Sequence, residues 1–145
     1  MKSKVELEIN ARQPDLAALF ADPRNNPRWM DDIDRFEPIR GELGKPGSVY
    51  RLVPKRGSTA FVATVVMRDL PTKLKLSLDA PGVSVQVTDT LLRLSDHRTK
   101  LISEEEFTFK GAFRKITGLL AIRAIKRVHR RHMESFKHFA EGQTP

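Results

Sequence analysis

The sequence predicts an α+β fold in which an antiparallel sheet of about six strands faces one long C-terminal α-helix, with two short helices after the first strand. Three patterns predict it. Segments of period-two alternation follow one another at separations too short for the dozen or more residues of a parallel crossover. Between the first of these segments and the rest, Pro14, Pro23 and Pro27 punctuate two short stretches of helical spacing. Over residues 112–141 the period changes to that of a helix, and Phe113, Leu120, Ala121, Ala124, Ile125, Val128, His132, Phe136 and Phe139 form one apolar stripe.

Each element has a local reason. Over residues 4–11, Val5, Leu7, Ile9 and Ala11 alternate with Glu6, Glu8 and Asn10, as in a half-buried strand. Pro14 opens a helix whose Leu16, Leu19 and Phe20 share a face, because a proline at a helix start removes no needed hydrogen bond. Asp22, Pro23 and Pro27 end it, and residues 24–30 form a second short helical turn carrying Trp29, the only tryptophan. Strands follow over 36–40, 48–53, 59–68, 74–78, 83–94 and 99–110, separated by turns rich in Gly, Pro and Asp, among them 41–47, 54–58 and Pro81-Gly82. The strand over 59–68 sets Phe61, Ala63, Val65 and Met67 on one face. That over 83–94 groups Val83, Val85, Val87 and Leu91, and that over 99–110 groups Leu101, Ser103, Glu105, Phe107 and Phe109.

At 145 residues, without low-complexity runs or internal repeats, the chain is expected to form one domain over 1–145. No apolar run approaches the roughly 18 residues of a membrane span, and the N-terminus has no signal-like stretch, so a cytoplasmic location is expected. The absence of cysteine excludes disulfides, thiol catalysis and thiolate zinc sites. Net charge is +8, and between Arg114 and His138 eight Lys or Arg stand against Glu134 alone, so the last helix carries most of the excess. There is no G-x-S-x-G or H-E-x-x-H motif. The glycine-rich run 41–47 is not a phosphate loop, because Pro46 follows Lys45 and no helix opens there.

The order of elements, Asp22-Pro23 leading to Pro27 and Trp29, the segment from Phe36 to Tyr50 with Gly41 and Gly47, and the terminal Phe136-Lys137-His138-Phe139-Ala140-Glu141 together resemble the START and Bet v 1-like (SRPBCC) superfamily. Within it the resemblance is to the polyketide cyclase/dehydratase and lipid-transport group. It covers nearly the whole chain and implies a helix-grip fold, a curved antiparallel sheet wrapped around the C-terminal helix and enclosing an elongated apolar cavity. It also implies binding, and in some members transport, of a lipid, sterol, quinone or polyketide, without fixing whether a reaction is catalysed.

On that architecture Trp29, Phe36, Tyr50, Phe61, Phe107, Leu120 and Ala124 are the candidates for the ligand-binding wall; alternatively they fill a solid core. Catalytic residues are unassigned, with Tyr50, Asp89 and Glu105 as candidates. Glu105 shares its strand face with Leu101, Phe107 and Phe109, and Asp89 with Val87 and Leu91. Burial would raise either carboxyl pKa and suit it to acid–base work in a cyclisation or dehydration, whereas a bulge or sheet edge would turn it to solvent. Arg51 and Arg93 are potential partners for these carboxyls, and Arg12 is a candidate cap for a carboxylated ligand. For His129 and His132, three apart, no carboxylate or cysteine completes a ligand set nearby, so no metal and no cofactor is expected. His132 falls on the apolar stripe and His129 at its edge.

Arg123, Lys126, Arg127, Arg130, Arg131 and Lys137 form a basic surface that either faces solvent or contacts an anionic membrane or RNA. Against RNA, no aromatic residue is interleaved for base stacking. Leu119, Ile122 and Met133 lie outside the main stripe, a pattern compatible with a homodimer contact, a membrane-facing ridge or a lid.

Overall fold

The alternation at the N-terminus produces β1 (Lys2–Ile9), with Ser3, Val5 and Ile9 buried and the charged residues between them in water. α1 (Gln13–Ala21) follows, with Pro14 in its first turn, and buries Leu16, Ala17, Phe20 and Ala21. The Asp22 carboxylate accepts the Arg24 backbone N–H at 3.0 Å and so caps a single 3-10 turn, Pro23–Asn25. α2 (Asn26–Trp29) then buries Trp29. The structure, a computed structural model, describes residues 1–57, 59–115 and 118–143. Ser58, in the expected turn over 54–58, and Ile116 and Thr117, in the expected long helix, lie outside the described residues.

β2 (Ile33–Arg40), β3 (Val49–Pro54), β4 (Phe61–Asp69), β5 (Lys73–Ala80), β6 (Val83–Ser95) and β7 (Arg98–Phe109) form, with β1, a curved seven-stranded antiparallel sheet ordered β1-β7-β6-β5-β4-β3-β2. The count exceeds the expected six because β1 pairs with β7 from Lys2↔Glu106 to Ile9↔Thr99 and extends the meander. Register shifts between Val65 and Met67 and between Arg93 and Ser95 mark bulges, which bend strands locally. At the β2–β3 turn Gly41 has φ +81°, and a Cβ there would lie 2.8 Å from Ser48 Cα, so the turn requires glycine.

α3 (Leu119–Gln143) packs on β1 and α2. Its start differs from the expected helix over 112–141. A 3-10 segment, Gly111–Lys115, comes first, Gly111 takes φ +60°, and α3 opens immediately after Gly118. The Phe113 ring lies over Gly82 at the β5–β6 turn, where an added Cβ would come within 2.2 Å of it, instead of continuing the apolar stripe of the helix.

The buried face of α3 also differs. His129, Met133, Phe136 and Ala140 are its buried residues, so the packed stripe runs beside the one expected from apolarity alone. Phe136 anchors it, in edge-to-face contact with Phe20 at 4.7 Å and with Trp29 at 5.3 Å between ring centroids. Ile125, Val128 and His132 line the cavity instead, and Leu120 is 81% exposed. Among the described residues no helix is long and apolar enough to cross a membrane.

Candidate functional site

Strand register builds the polar part of the site. Val5, Ser103 and Asp89 stand opposite one another across β1, β7 and β6, and Ser3, Glu105 and Val87 form the neighbouring row. The period-two rule sends all six side chains to the inner face. His129 descends from α3 onto these rows. Its Nδ1 lies 2.7 Å from Ser3 Oγ and its Nε2 lies 2.9 Å from Ser103 Oγ, while Glu105 Oε1 stands 3.7 Å from Nδ1. The Ser103 hydroxyl also hydrogen-bonds Asp89, so Ser3, His129, Ser103 and Asp89 form one buried chain. Each serine hydroxyl can donate or accept, so a neutral imidazole is satisfied between them.

Burial dominates the electrostatics. It pushes the Asp89 carboxyl up to about 7, against the bond from Ser103, and the Glu105 carboxyl up to about 7, with the Asp89 charge adding to the rise. His129 is pushed down to about 4, first by burial and then by the charges of His132 and Arg130, so its imidazole is neutral near pH 7. The Tyr50 hydroxyl, buried and hydrogen-bonded to the Asn26 side chain, is pushed up to about 12. Two buried groups in residues that border the cavity described next have no hydrogen-bond partner among the described residues, Trp29 Nε1 and Asp89 Oδ1.

These groups border a two-part cavity. The inner compartment, about 60 Å³, is lined by residues that include Trp29, Tyr50, Asp89, Ser103 and Glu105. The outer compartment, about 310 Å³, is lined chiefly by Ile33, Phe61, Val85, Phe107, Ile125 and Val128 and opens to the surface. Met30, Leu52, Leu78, Glu105 and His132 border both, so the compartments adjoin.

Of the expected wall residues, Trp29 and Tyr50 border the inner compartment and Phe61, Phe107 and Ala124 the outer one. Phe36 borders neither compartment and packs edge-on against Tyr50 at 6.4 Å. Leu120 is a correction: it is 81% exposed and borders neither compartment. Asp89 and Glu105 both face inward, but neither expected arginine reaches them. Arg51 pairs with Glu37 at 3.3 Å and Arg93 with Asp96, both outside, and Arg12 is exposed and remote from the cavity lining. Ser103 and Ser3 are site residues that the sequence does not single out, and His129, weighed there only as a metal ligand, enters the site as their hydrogen-bonding partner. Ser103 lies on the inward face of its strand, and Ser3 continues the alternation of Val5, Leu7 and Ile9 toward the N-terminus, just outside the strand expected over 4–11.

The two histidines exchange the places expected of them, since His129 is buried and His132 lies at the cavity rim. A carboxylate does stand near His132, contrary to expectation: Asp31, Asp32 and His132 bring three donor atoms within 4.8 Å. His132 Nε2 lies 2.7 Å from Asp32, whose carboxyl it holds below the usual carboxylate range, and Arg131 pairs with Asp31 at 3.2 Å. These ion pairs account for the cluster. On the outer face of α3, Arg123, Lys126, Arg127, Arg130 and Arg131 are exposed, Arg130 pairing with Glu134 at 3.6 Å, and Lys137 is half-buried.

A curved sheet gripping a C-terminal helix around an apolar cavity defines the class, and the chain has the helix-grip fold of the Bet v 1-like and START proteins. Solved structures similar to it include the Zhui aromatase/cyclase from Streptomyces sp. R1128, with TM-score 0.79 and 16% identity over 97% of this chain and 93% of that one. Ara h 8.0201 matches with TM-score 0.76 and 14% identity over 99% of both chains. A START superfamily protein from Mycobacterium smegmatis matches with TM-score 0.74 and 16% identity over 98% and 95%. No protein-family model and no curated protein matches the sequence.

Proposed function

We propose that this chain is a single-domain binding protein, over residues 1–145, for a hydrophobic small molecule or lipid held between the sheet and α3. The observation that carries the reading is the apolar outer compartment of about 310 Å³, open at the surface and adjoining a smaller inner compartment that carries Asp89, Ser103 and Glu105. That is the composition of a ligand site, apolar walls with a few convergent polar groups. Native mass spectrometry of the freshly purified protein, followed by organic extraction, tests it. A stoichiometric apolar adduct is expected; a clean mass that stays unshifted by added lipids, quinones or aromatic polyketides would refute the reading.

A second reading, acid–base chemistry of the cyclase or dehydratase kind on the bound molecule, is favoured by Asp89 and Glu105. Two inward carboxyls with pKa near 7 are poised to give and take protons at neutral pH, as general acid–base groups must. Glu105→Gln then abolishes turnover of a polyketide-like substrate while leaving its affinity within about twofold. Unchanged turnover would remove Glu105 from any chemistry.

The start of α3 supports a membrane as the source of the ligand. Leu119 and Leu120 are 61% and 81% exposed at the start of α3, beside exposed Arg123, Lys126 and Arg127. Apolar tips flanked by cations suit an anionic bilayer surface. Co-sedimentation with phosphatidylserine-containing vesicles, released as salt rises, is the expected result, and equal binding to purely zwitterionic vesicles would contradict it.

A further inference from the structure

We infer that the inner end of the cavity is a subsite for an uncharged hydroxyl, so that the ligand is a phenol or alcohol with an apolar body rather than a carboxylate or an ammonium. The inference rests on the cavity reading above and names the chemistry of its ligand.

Four observations carry it. First, two side chains lining the inner compartment hold fully buried polar atoms without a partner among the described residues, Trp29 Nε1 and Asp89 Oδ1, in residues that are 6% and 3% exposed. Buried polar groups in folded proteins are nearly always paired, so unpaired ones in residues that line a cavity mark where a guest's polar atom belongs. Second, the two groups ask for different things. The indole N–H donates only, whereas a carboxyl oxygen accepts, so a single hydroxyl can accept from one and donate to the other. An ammonium has no lone pair to offer Trp29.

Third, among the described residues no Lys or Arg lines either compartment. A carboxylate guest would meet Asp89 and Glu105 with no counter-charge, because Arg51 and Arg93 are paired on the outside and His129 is spoken for by Ser3 and Ser103. Burying an anion beside two carboxyls is strongly unfavourable. Fourth, the sizes match the division of labour. About 60 Å³ takes a hydroxyl group or a few waters, while about 310 Å³ takes a fused-ring or short aliphatic body.

The test is calorimetric titration at pH 7 with four probes that share one body: naphthalene, 2-naphthol, 2-naphthoate and 2-naphthylmethylammonium. Expected is about tenfold tighter binding of 2-naphthol than of naphthalene, the worth of a hydrogen bond to groups otherwise left unpaired, with both ions weaker than 2-naphthol. Trp29→Phe and Asp89→Ala each shrink the ratio of 2-naphthol to naphthalene affinity, both measured on the same variant, to about threefold or less. Tighter binding of either ion than of 2-naphthol overturns the inference. So does equal binding of 2-naphthol and naphthalene, which would leave the cavity reading standing with water at the inner end. Absence of binding by all four probes overturns both. Should either variant fail to fold, the order of the four probes on the unaltered protein decides by itself.

Discussion

Replacing Asp89 by Asn tests the electrostatics of the site through stability alone. The carboxyl is buried at 3% exposure, and burial lifts it from the usual 3.8 to about 7. Because the folded-state value lies above the unfolded one, the stability gained by holding this proton is fully present below about pH 4 and gone above about pH 7. A displacement of about three pK units corresponds to about 4 kcal/mol lost over that interval. An amide keeps the shape of the protonated acid and does not titrate, so Asp89→Asn removes the slope. Glu105 reinforces the effect, since the Asp89 charge contributes to raising it and is absent from the variant. His129 works in the opposite direction, its lowered pKa reducing stability as pH falls from about 6.5 to about 4, but it does so in both proteins and cancels. Urea unfolding followed by Trp29 fluorescence at pH 5, 6, 7 and 8 measures the difference. Between pH 5 and pH 8 about two of those three units are traversed, about 2.7 kcal/mol, so with a denaturant slope of about 2 kcal/mol/M the variant gains about 1.4 M in midpoint at pH 8 relative to its standing at pH 5. Parallel pH profiles, or a variant that loses ground as pH rises, would refute the burial of a titrating carboxyl at this position.

Three further outcomes follow from packing and backbone. Phe136→Ala removes a fully buried ring wedged against Phe20 and Trp29 and is expected to cost about 3–5 kcal/mol in thermal or urea unfolding; a loss under about 1 kcal/mol would mean that α3 is not seated by this residue. Gly41→Ala is expected to cost more than Gly47→Ala, although both sites have positive φ, because only the Gly41 Cβ meets backbone, at 2.8 Å from Ser48 Cα. The Gly47 change should cost about 1–2 kcal/mol for conformation alone, and equal losses would dismiss the clash. Leu119→Ser with Leu120→Ser should leave the unfolding free energy within about 1 kcal/mol and weaken binding to phosphatidylserine-containing vesicles, whereas a cooperative loss of stability would place these leucines in the core.

Much of the fold was legible because strand and helix periods are local properties of the chain. The inward set Val85, Val87, Asp89 and Leu91 and the set Leu101, Ser103 and Glu105 follow from period two, so the shared facing of each carboxyl with its apolar neighbours is written in the alternation itself. The boundaries of the short helices were equally local, written in Pro14, Asp22-Pro23 and Pro27.

The C-terminal helix shows where such reading ends. Apolarity placed the packed stripe through Leu120, Ala124 and His132, but which side of a helix is buried depends on what lies opposite, and opposite His129 lie the hydroxyls of Ser3 and Ser103, 126 and 26 residues away in sequence. No local pattern reports a polar residue drawn inward by partners from two other strands. The same holds for the raised carboxyls. Sequence determined that Asp89 and Glu105 share the apolar faces of their strands, while tertiary structure decided that Arg51 and Arg93 stay outside, so that desolvation goes uncompensated and the pKa values rise. Period and turn chemistry are fixed within a few residues of chain. The dielectric, the counter-charges and the empty space around a side chain are properties of whatever the fold brings within a few ångströms of it.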